Sequence, residues 1–360
     1  IVSGMSPKGH FDLEGAEALI DATRQFKQVP PGGVRIHHDR TGFMRQVFDT
    51  EEGVLDAMRS FMAGLPQYDP GTFRVAEPVE PLHPAGDLNR IVPYNQKRVY
   101  KIEQVMSRLF DGSEHLEYRP DYGPEVYCGL ARVDGFPVGV IANRQGFLGA
   151  DYPKYAKGAY TGIGGKLYRE GLIKMNELVM YCGRDRLPVI WFQDTTGIDV
   201  GDIAEEAELL GLGQSLLYSI EASHVPMMTV VLRKGTAAAH YIMGGPQATR
   251  NNAFTLGVPT TEIYVMHGET AAAAAFARRL VKEKDAGKPL EPVIDKMNDL
   301  ARQYYDQSRP IYCAKAGFVD EITPLPGLRD YFVAFTRSCY QNPGSLCPHH
   351  QMLLPRSIRG

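Results

Sequence analysis

Short apolar runs alternate with longer amphipathic stretches along most of this 360-residue chain. Two runs, 187–192 and 225–232, are almost continuously hydrophobic. They are far too short to span a bilayer, and they suit central strands of a parallel sheet that is covered on both faces. The pattern predicts strands over 127–133, 138–143, 189–193, 228–233 and 262–266.

Helical patterns separate most of these strands. They predict helices over 101–110, 171–182, 204–220, from 237 onward, over 269–283 and over 295–307. The run 269–283 contains five successive alanines, so its helical assignment rests on intrinsic propensity as well as on pattern. Strands that alternate with helices in this way are typical of an α/β fold.

The first 93 residues follow a different pattern. An apolar face with helical spacing predicts a helix over 13–26. Residues 29–93 are rich in proline and glycine and contain one predicted helix, 50–64. We interpret them as an irregular, partly packed connection rather than as a domain of their own.

The most informative segment of the chain runs from a strand into a helix. A buried strand turns through Gly235 and Thr236 and enters the predicted helix at Ala237, Ala238 and Ala239. A helix N-terminus leaves backbone N–H groups unpaired and carries partial positive charge. Because alanine side chains are small, a ligand can approach the N–H groups of Ala238 and Ala239, as in an anion or oxyanion site. The alternative is an ordinary strand–turn–helix connection with small residues for tight packing.

Two other loops follow predicted strands, at the positions where open α/β sheets bind ligands. An asparagine at such a position commonly bonds to backbone groups of the loop, and Asn143 is a candidate for this role. Arg144 either pairs with a carboxylate or phosphate or is an ordinary solvated side chain. The loop after the third strand is polar and contains five further candidate ligand contacts: Asp194, Thr195, Thr196, Gly197 and Val200. A capped turn before the next helix is the alternative for this loop.

Composition narrows the classes of function. A net charge of −3 with 22% charged residues gives no electrostatic footprint for nucleic acid, and no Lys/Arg run suggests a membrane surface. Five scattered cysteines, an odd number, fit a reducing cytoplasmic setting better than a disulfide framework.

Several short motifs point to no chemistry of their own. The histidines and cysteine of 347–350 and the pair His37-His38 lack the spacing of metal ligands, so we expect no metal site. The glycine-rich run 161–167 fits neither the P-loop nor the dinucleotide pattern, and we interpret it as a flexible loop. No Gly-x-Ser-x-Gly elbow is present, which argues against a hydrolase of that kind.

Three segments, 128–143, 191–201 and 230–243, resemble in order and spacing the carboxyltransferase subunits of biotin-dependent enzymes. Within that family the closest resemblance is to the alpha subunits of glutaconyl-CoA decarboxylases, and it extends over residues 91–330. Two sites depart from the family pattern. The family reads glycine–glycine–alanine where this chain has alanines at 237–239, and valine–proline where it has threonines at 195–196.

The resemblance implies an α/β fold of the crotonase-like (ClpP/crotonase) type, a superhelix of ββα units. Residues 1–92 would be the tail of an N-terminal carboxyltransferase domain plus the Pro/Gly-rich connection, and 93–360 the C-terminal carboxyltransferase domain. In the family, the N-terminal domain holds the acyl-CoA, and the C-terminal domain of a partner subunit receives biotin. A homodimer or higher homo-oligomer is therefore implied, and residues 1–360 alone are expected to be inactive.

The reaction implied by the resemblance moves the terminal carboxylate of glutaconyl-CoA to biotin on a separate carrier subunit and leaves crotonyl-CoA. The coenzyme A thioester is the substrate, and a separate integral membrane subunit uses the decarboxylation to pump sodium. The chain would then be cytoplasmic and reach the membrane only through its partners. The Ala238 and Ala239 N–H groups are the candidate oxyanion donors on the biotin side. The other implied substrate or biotin contacts are Asn143, Arg144, Asp194, Thr195, Thr196, Gly197, Val200, Gly235, Thr236, Ala237, His240 and Tyr241.

Alternatives remain open from the residues alone. His240 is equally well a packed histidine. A propionyl-, methylcrotonyl- or methylmalonyl-CoA carboxyltransferase would share the fold, although the connection 29–93 and the two threonines favour the glutaconyl type. A crotonase-type hydratase or isomerase needs catalytic carboxylates at the active-site helix ends, and none stands near 237–240 in sequence. A non-catalytic scaffold in a larger complex is the remaining alternative.

Overall fold

The computed structural model describes residues 3–5, 34, 37–38, 46–64, 70–148, 162–245 and 251–341. Its contacts divide the chain into two units, Ile1–Gln67 and Tyr68–Gly360. The residues between Tyr68 and the predicted boundary at 92/93 thus belong to the second unit, and the two predicted carboxyltransferase domains stay a prediction. The predicted helix 13–26 and the motif 347–350 lie outside the described residues.

In its described residues, the first unit contains a small parallel pair of strands followed by a helix. Strands β1 (Ser3–Met5) and β2 (Gln46–Phe48) pair in parallel, and helix α1 (Glu51–Ala63) follows. The Thr50 side chain accepts a hydrogen bond from the Gly53 N–H at 3.1 Å, which satisfies one of the free donors at the helix start. The sequence predicted this helix over 50–64.

The second unit is built on one mixed sheet and the helices that cover it. Its strands are β3 (His115–Glu117), β4 (Val126–Val133), β5 (Phe136–Asn143), β6 (Lys166–Leu167), β7 (Val189–Thr195), β8 (Gly197–Ile198), β9 (Met227–Thr236), β10 (Asn252–Gly257), β11 (Glu262–Tyr264) and β12 (Glu321–Ile322). Its helices are α2 (Leu88–Ile91), α3 (Ile102–Met106), α4 (Arg169–Asp185), α5 (Asp202–Glu206), α6 (Leu209–Ser223), α7 (Ala237–Ile242), α8 (Gly268–Asp285), α9 (Glu291–Ser308), α10 (Pro310–Lys315) and α11 (Leu328–Gln341).

The main sheet changes from antiparallel to parallel along its width. Its strand order is β3-β4-β5-β7-β9-β10-β12, and β11 pairs with the end of β9. The pairs β3/β4 and β4/β5 are antiparallel, whereas every pairing from β5 to β12 is parallel. Asp134 and Gly135, both with positive φ (54° and 80°), connect β4 to β5 in the turn geometry that suits a tight hairpin. This hairpin followed by α4 is a ββα unit.

Both faces of the sheet are covered, as predicted for its central strands. On one face Phe110, Phe192 and Phe332 pack ring against ring and bring α11 onto the sheet. On the other face α4, α6 and α7 bury residues around Trp191. Every residue of β7 and β9 is buried, which matches the continuous apolar runs in the sequence.

Some predicted elements differ from the structure. The predicted helix 204–220 is two helices, α5 and α6, because Glu208 adopts a left-handed φ of 63° that a continuous helix does not allow. The helix from Ala237 has only six residues, and Gly244-Gly245 follow it. Strand β10 and helices α10 and α11 were not predicted. No helix in the described part of the chain is both long and apolar enough to cross a membrane.

Candidate active site at the carboxyl ends of the central strands

Strands β5, β7 and β9 end side by side, and the residues that follow them form the candidate site. In the register of β7 and β9, Thr195 lies opposite Gly235. Asn143, at the end of β5, accepts a hydrogen bond from the Asp194 N–H through its Oδ1 at 3.0 Å. The three loops that the sequence singled out therefore meet at one edge of the sheet, where parallel strands present their ligands.

The junction between β9 and α7 turns at one alanine. Ala237 has a φ of 45°, in the left-handed region, and α7 continues from it. Ala237 and Ala238 are exposed, whereas Ala239 is buried. The first N–H groups of a helix have no partner within it, and within the described residues neither the Ala238 nor the Ala239 N–H donates to a backbone acceptor outside it. The Ala238 donor thus stands at an exposed helix start, whereas Ala239 is packed into the core with no exposed surface.

Replacing Ala237 by glycine is expected to raise the free energy of unfolding by about 0.5–1 kcal/mol. A left-handed φ costs alanine about 1–2 kcal/mol, of which the greater freedom of glycine in the unfolded chain offsets part. Urea unfolding measures the change. Ala238→Gly, one position later and inside the helix, is the matched control and should be destabilising by up to about 1 kcal/mol. Destabilisation by both changes would contradict strain at Ala237.

Helix α7 is hydrogen-bonded to a fully buried glutamine of β7. The Gln193 Nε2 donates to the backbone oxygens of His240 at 3.0 Å and Met243 at 2.7 Å, and its Oε1 lies 2.5 Å from His240 Nδ1. Because the amide nitrogen serves the two carbonyls, the Nδ1 of His240 must carry the proton. Gly235 leaves room for this ring, since a Cβ there would lie 2.9 Å from Nδ1. His240 is thus a packed histidine, and Tyr241 beside it is exposed.

Burial lowers the pKa of His240 to about 4, so the imidazole is neutral near pH 7. The pKa of this base is lower in the folded chain than in the unfolded chain, where it is about 6.5. Its burial in the neutral form therefore stabilises the fold fully above the unfolded pKa, and this stabilisation is lost as the pH falls toward the folded pKa. The wild type is therefore expected to lose about 2 kcal/mol of its free energy of unfolding between pH 7 and pH 5 through this residue. His240→Asn should lack this component in paired urea titrations. Equal pH dependence in both proteins would contradict the assignment.

Asp194 is paired with basic residues of the protein itself. Its carboxylate is buried, with Oδ2 at 2.7 Å from the Arg233 Nε and Oδ1 accepting from the Lys234 N–H at 3.3 Å. The Arg233 Nη1 in turn donates to the backbone oxygen of Arg98 at 2.6 Å. Asp194 therefore fixes the end of β9 and the chain near 98. Its role as a ligand contact stays a prediction.

Arg144 is also buried and paired. Its guanidinium makes two hydrogen bonds to the Glu117 carboxylate, at 2.9 and 2.7 Å, and one to Glu103 at 2.7 Å. Lys174 donates to the same Glu117 at 3.0 Å and to the backbone oxygen of Val126. In the structure Arg144 thus holds β3 and α3 in place, rather than standing solvated or open to an anion.

The polar loop after β7 is bound to the glycine-rich run. The hydroxyls of Thr195 and Thr196 both donate to the Gly165 backbone oxygen, at 3.2 and 3.0 Å. Strand β8, which begins at Gly197, pairs with β6, and α7 lies beside it. Val200, further along, is exposed. The described part of the glycine-rich run, 162–167, is therefore held by hydrogen bonds, and its flexibility stays a prediction.

A cavity of about 780 Å³ opens beside the end of β9, within the range of about 300–1,000 Å³ that is usual for ligand sites. Strand β11 forms one side, with Glu262 opposite Lys234 and Tyr264 opposite Thr236. Burial lowers the pKa of Lys234 and raises that of Glu262, and His267 lies at the helix start nearby. The sequence predicted the strand 262–266 but not its partner, so these residues were missed.

The described residues contain no group of three or more His, Cys, Asp or Glu side chains that could hold a metal ion. The pair His37-His38 belongs to this part of the chain, whereas 347–350 does not. The candidate site itself offers backbone donors, a buried ion pair and the neutral imidazole of His240.

Comparison with known proteins gives a consistent picture. Residues 12–353 match the family model of the carboxyl transferase domain. The chain is 57% identical over all 360 residues to the glutaconyl-CoA decarboxylase subunit alpha of Acidaminococcus fermentans, and covers 61% of that protein. It is 27% identical over 85% of its length to the biotin-dependent 3-methylcrotonyl-coenzyme A carboxylase beta1 subunit of Mycobacterium tuberculosis, covering 54% of that protein. The chain thus spans little more than half the length of these relatives.

Two solved structures share the fold. The beta subunit of Pseudomonas aeruginosa geranyl-CoA carboxylase superposes with a TM-score of 0.67 at 20% identity, over 94% of this chain and 60% of that one. The transcarboxylase 12S core superposes with a TM-score of 0.62 at 21% identity, over 99% of this chain and 63% of that one. The predicted crotonase-like α/β fold is confirmed.

Proposed function

The chain belongs to the carboxyl transferase family, and we propose that it forms the biotin-accepting part of a carboxyltransferase that acts on glutaconyl-CoA. The observation that carries this proposal is the exposed start of α7 beside the ends of the central strands, where the N–H of Ala238 has no partner within the helix. The 57% identity to a glutaconyl-CoA decarboxylase subunit supports the choice of acyl group.

The residues present suit a biotin ureido group. When bound, biotin supplies the nitrogen that accepts the carboxyl group, and its ureido oxygen gains negative charge as it does so. The N–H groups of Ala238 and Ala239 would donate to that oxygen; Ala238 is exposed, whereas Ala239 is buried and would have to be uncovered when biotin binds. One such backbone donor is typically worth about 3–4 kcal/mol in the transition state. No side-chain nucleophile is needed.

The change in the acyl group can be followed bond by bond. The C–C bond to the terminal carboxylate of glutaconyl-CoA breaks, and the electron pair stays on the acyl chain, delocalised to the thioester oxygen. The γ-carbon of the acyl chain then takes up one proton, which balances the proton that the ureido nitrogen of biotin would lose, and crotonyl-CoA results. The buried pair Asp194–Arg233 keeps the loops after β7 and β9 in register during these steps.

A separate carrier would provide the biotin. Lys174, on α4, is buried and bonded to Glu117 and Val126, so its amine is not available for a biotinyl group. We propose a biotin carrier subunit, a homodimer or higher homo-oligomer, and a separate integral membrane subunit that couples decarboxylation to sodium transport, as the identity to a glutaconyl-CoA decarboxylase subunit implies. The chain would stay in the cytoplasm and bind the membrane only through these partners.

Biotin dependence and acyl specificity test the proposal. The assay uses the whole subunit in which this chain stands, with its biotin carrier or free biotin as acceptor. Crotonyl-CoA should form only when glutaconyl-CoA and biotin are both present. Methylmalonyl-CoA and 3-methylglutaconyl-CoA, the carboxylated forms of propionyl-CoA and 3-methylcrotonyl-CoA, serve as comparison substrates, and crotonyl-CoA in water tests for hydration. Biotin-independent turnover, an equal rate with methylmalonyl-CoA, or a hydroxyacyl product would contradict the proposal.

A further inference from the structure

Helix α7 is too short to fix its own direction. It has six residues, and an isolated helix of this length is not stable in water. It begins at Ala237 in a left-handed conformation and is followed by Met243. Its orientation must therefore come from contacts with the rest of the fold.

Gln193 supplies three of these contacts from the centre of the sheet. It lies on β7, whose residues are all buried, and it donates to two carbonyls at the C-terminal end of α7. Such carbonyls have no partner within a helix. The third contact, from His240 Nδ1, ties the middle of α7 to the same amide. One side chain thus bonds to the backbone and to a side chain of the helix that carries Ala238 and Ala239.

We propose that Gln193 is a positioning residue that sets the direction of the Ala238 and Ala239 N–H groups through its three hydrogen bonds to α7. This inference rests on the proposed function of these N–H groups. A donor must be aimed at the place where negative charge develops, and a displacement of about 1 Å lowers the rate about 100-fold. Gln193 has no exposed surface, so in this arrangement it would act only through α7.

Glutamine is the residue that meets this geometry. Its amide offers two N–H donors and a carbonyl acceptor on one planar group, so it serves the oxygens of His240 and Met243 and the Nδ1 of His240 together. Methionine has a similar length and no donor. Glutamate keeps the acceptor for His240 but has no N–H for the two carbonyls. These two substitutions separate the contacts.

The first experiment measures kcat and KM for Gln193→Met in the whole subunit with its biotin acceptor. We expect kcat to fall about 100-fold, with the KM for glutaconyl-CoA nearly unchanged. Tyr340→Phe is the control, because it removes another buried hydrogen bond, to the Pro137 oxygen at the opposite end of β5. It should lower stability and leave kcat unchanged. A kcat of Gln193→Met equal to that of the wild type would overturn the proposal.

The second experiment follows the imidazole of His240 by NMR and the pH profile of kcat in Gln193→Glu. Burial alone lowers the pKa of His240, and no charged side chain of the described residues contributes to that shift. The introduced carboxylate would be the first charge beside the ring. We expect it to raise the pKa of His240 and to add an ionisation near neutral pH to the kcat profile. An unchanged imidazole titration would show that the two side chains do not meet.

A conservative change at His240 completes the test. His240→Asn keeps a donor for the Gln193 Oε1, and it should retain more of the wild-type kcat than His240→Leu does. Equal losses in both variants would contradict positioning through this bond.

If Gln193→Met does not fold, Gln193→Glu and the two His240 variants decide the question. An inactive wild type would refute the proposed function itself, whereas an active wild type with fully active Gln193 variants would refute only the positioning role.

Discussion

Replacing Ala238 by valine is expected to lower kcat for carboxyl transfer about 100-fold or more, with little change in the free energy of unfolding. The added methyl groups would stand at the exposed start of α7, over the N–H groups of Ala238 and Ala239. Loss of one oxyanion donor typically costs a factor of about 100–1,000 in kcat. Valine in place of alanine costs a helix only about 0.7 kcal/mol or less. Steady-state kinetics and urea unfolding give the two quantities.

The matched control is Ala274→Val. Ala274 is also an exposed alanine in a helix, but it lies within α8. It should show the same small loss of stability and normal turnover. Unchanged turnover in Ala238→Val would remove the oxyanion assignment, whereas a similar fall in both variants would indicate a general effect of valine in a helix.

The second large effect is expected at the buried ion pair. Asp194→Ala should lower the free energy of unfolding by about 3–5 kcal/mol, because it leaves the Arg233 guanidinium buried without its carboxylate. Both side chains of this pair are 1% exposed, and they meet at 2.7 Å. Urea unfolding at neutral pH measures the change.

An exposed pair provides the comparison for Asp194. Asp299 and Arg302 lie 3.9 Å apart on α9 with side chains that are 74% and 72% exposed. Asp299→Ala should cost less than about 1 kcal/mol, as is usual for a surface ion pair. A loss below about 1 kcal/mol for Asp194→Ala as well would show that the buried pair does not stabilise the ends of β7 and β9 as described.

The order of the elements could be read from the sequence because the signals are local. Continuous apolar runs mark β7 and β9, and the alanine run marks α8. The break between α5 and α6 could not be predicted, since a left-handed glutamate at Glu208 leaves no local sign. Strand β10 lacks a strong apolar run, and its place is set by pairing with β9.

The candidate site was predicted only in part, for a similar reason. Loops at the carboxyl ends of parallel strands meet by geometry, so Asn143, Asp194 and Gly235 could be grouped in advance. The partners of a side chain depend on long-range packing, which a local pattern does not contain. The pairing of Arg144 with Glu117 and Glu103 could therefore not be specified in advance, and Gln193 was passed over although it precedes Asp194.

Carboxyl transfer to biotin is tested most directly by the fate of the substrate's terminal carboxylate. Glutaconyl-CoA labelled with heavy carbon at that position would be mixed with the whole subunit and its biotin carrier. We predict that the label appears on the carrier's biotin, as a mass increase that matches one carboxyl group, and that Ala238→Val loses this increase. Label that stays in the acyl-CoA, or leaves as free CO₂ at the same rate without biotin, would contradict the proposed function.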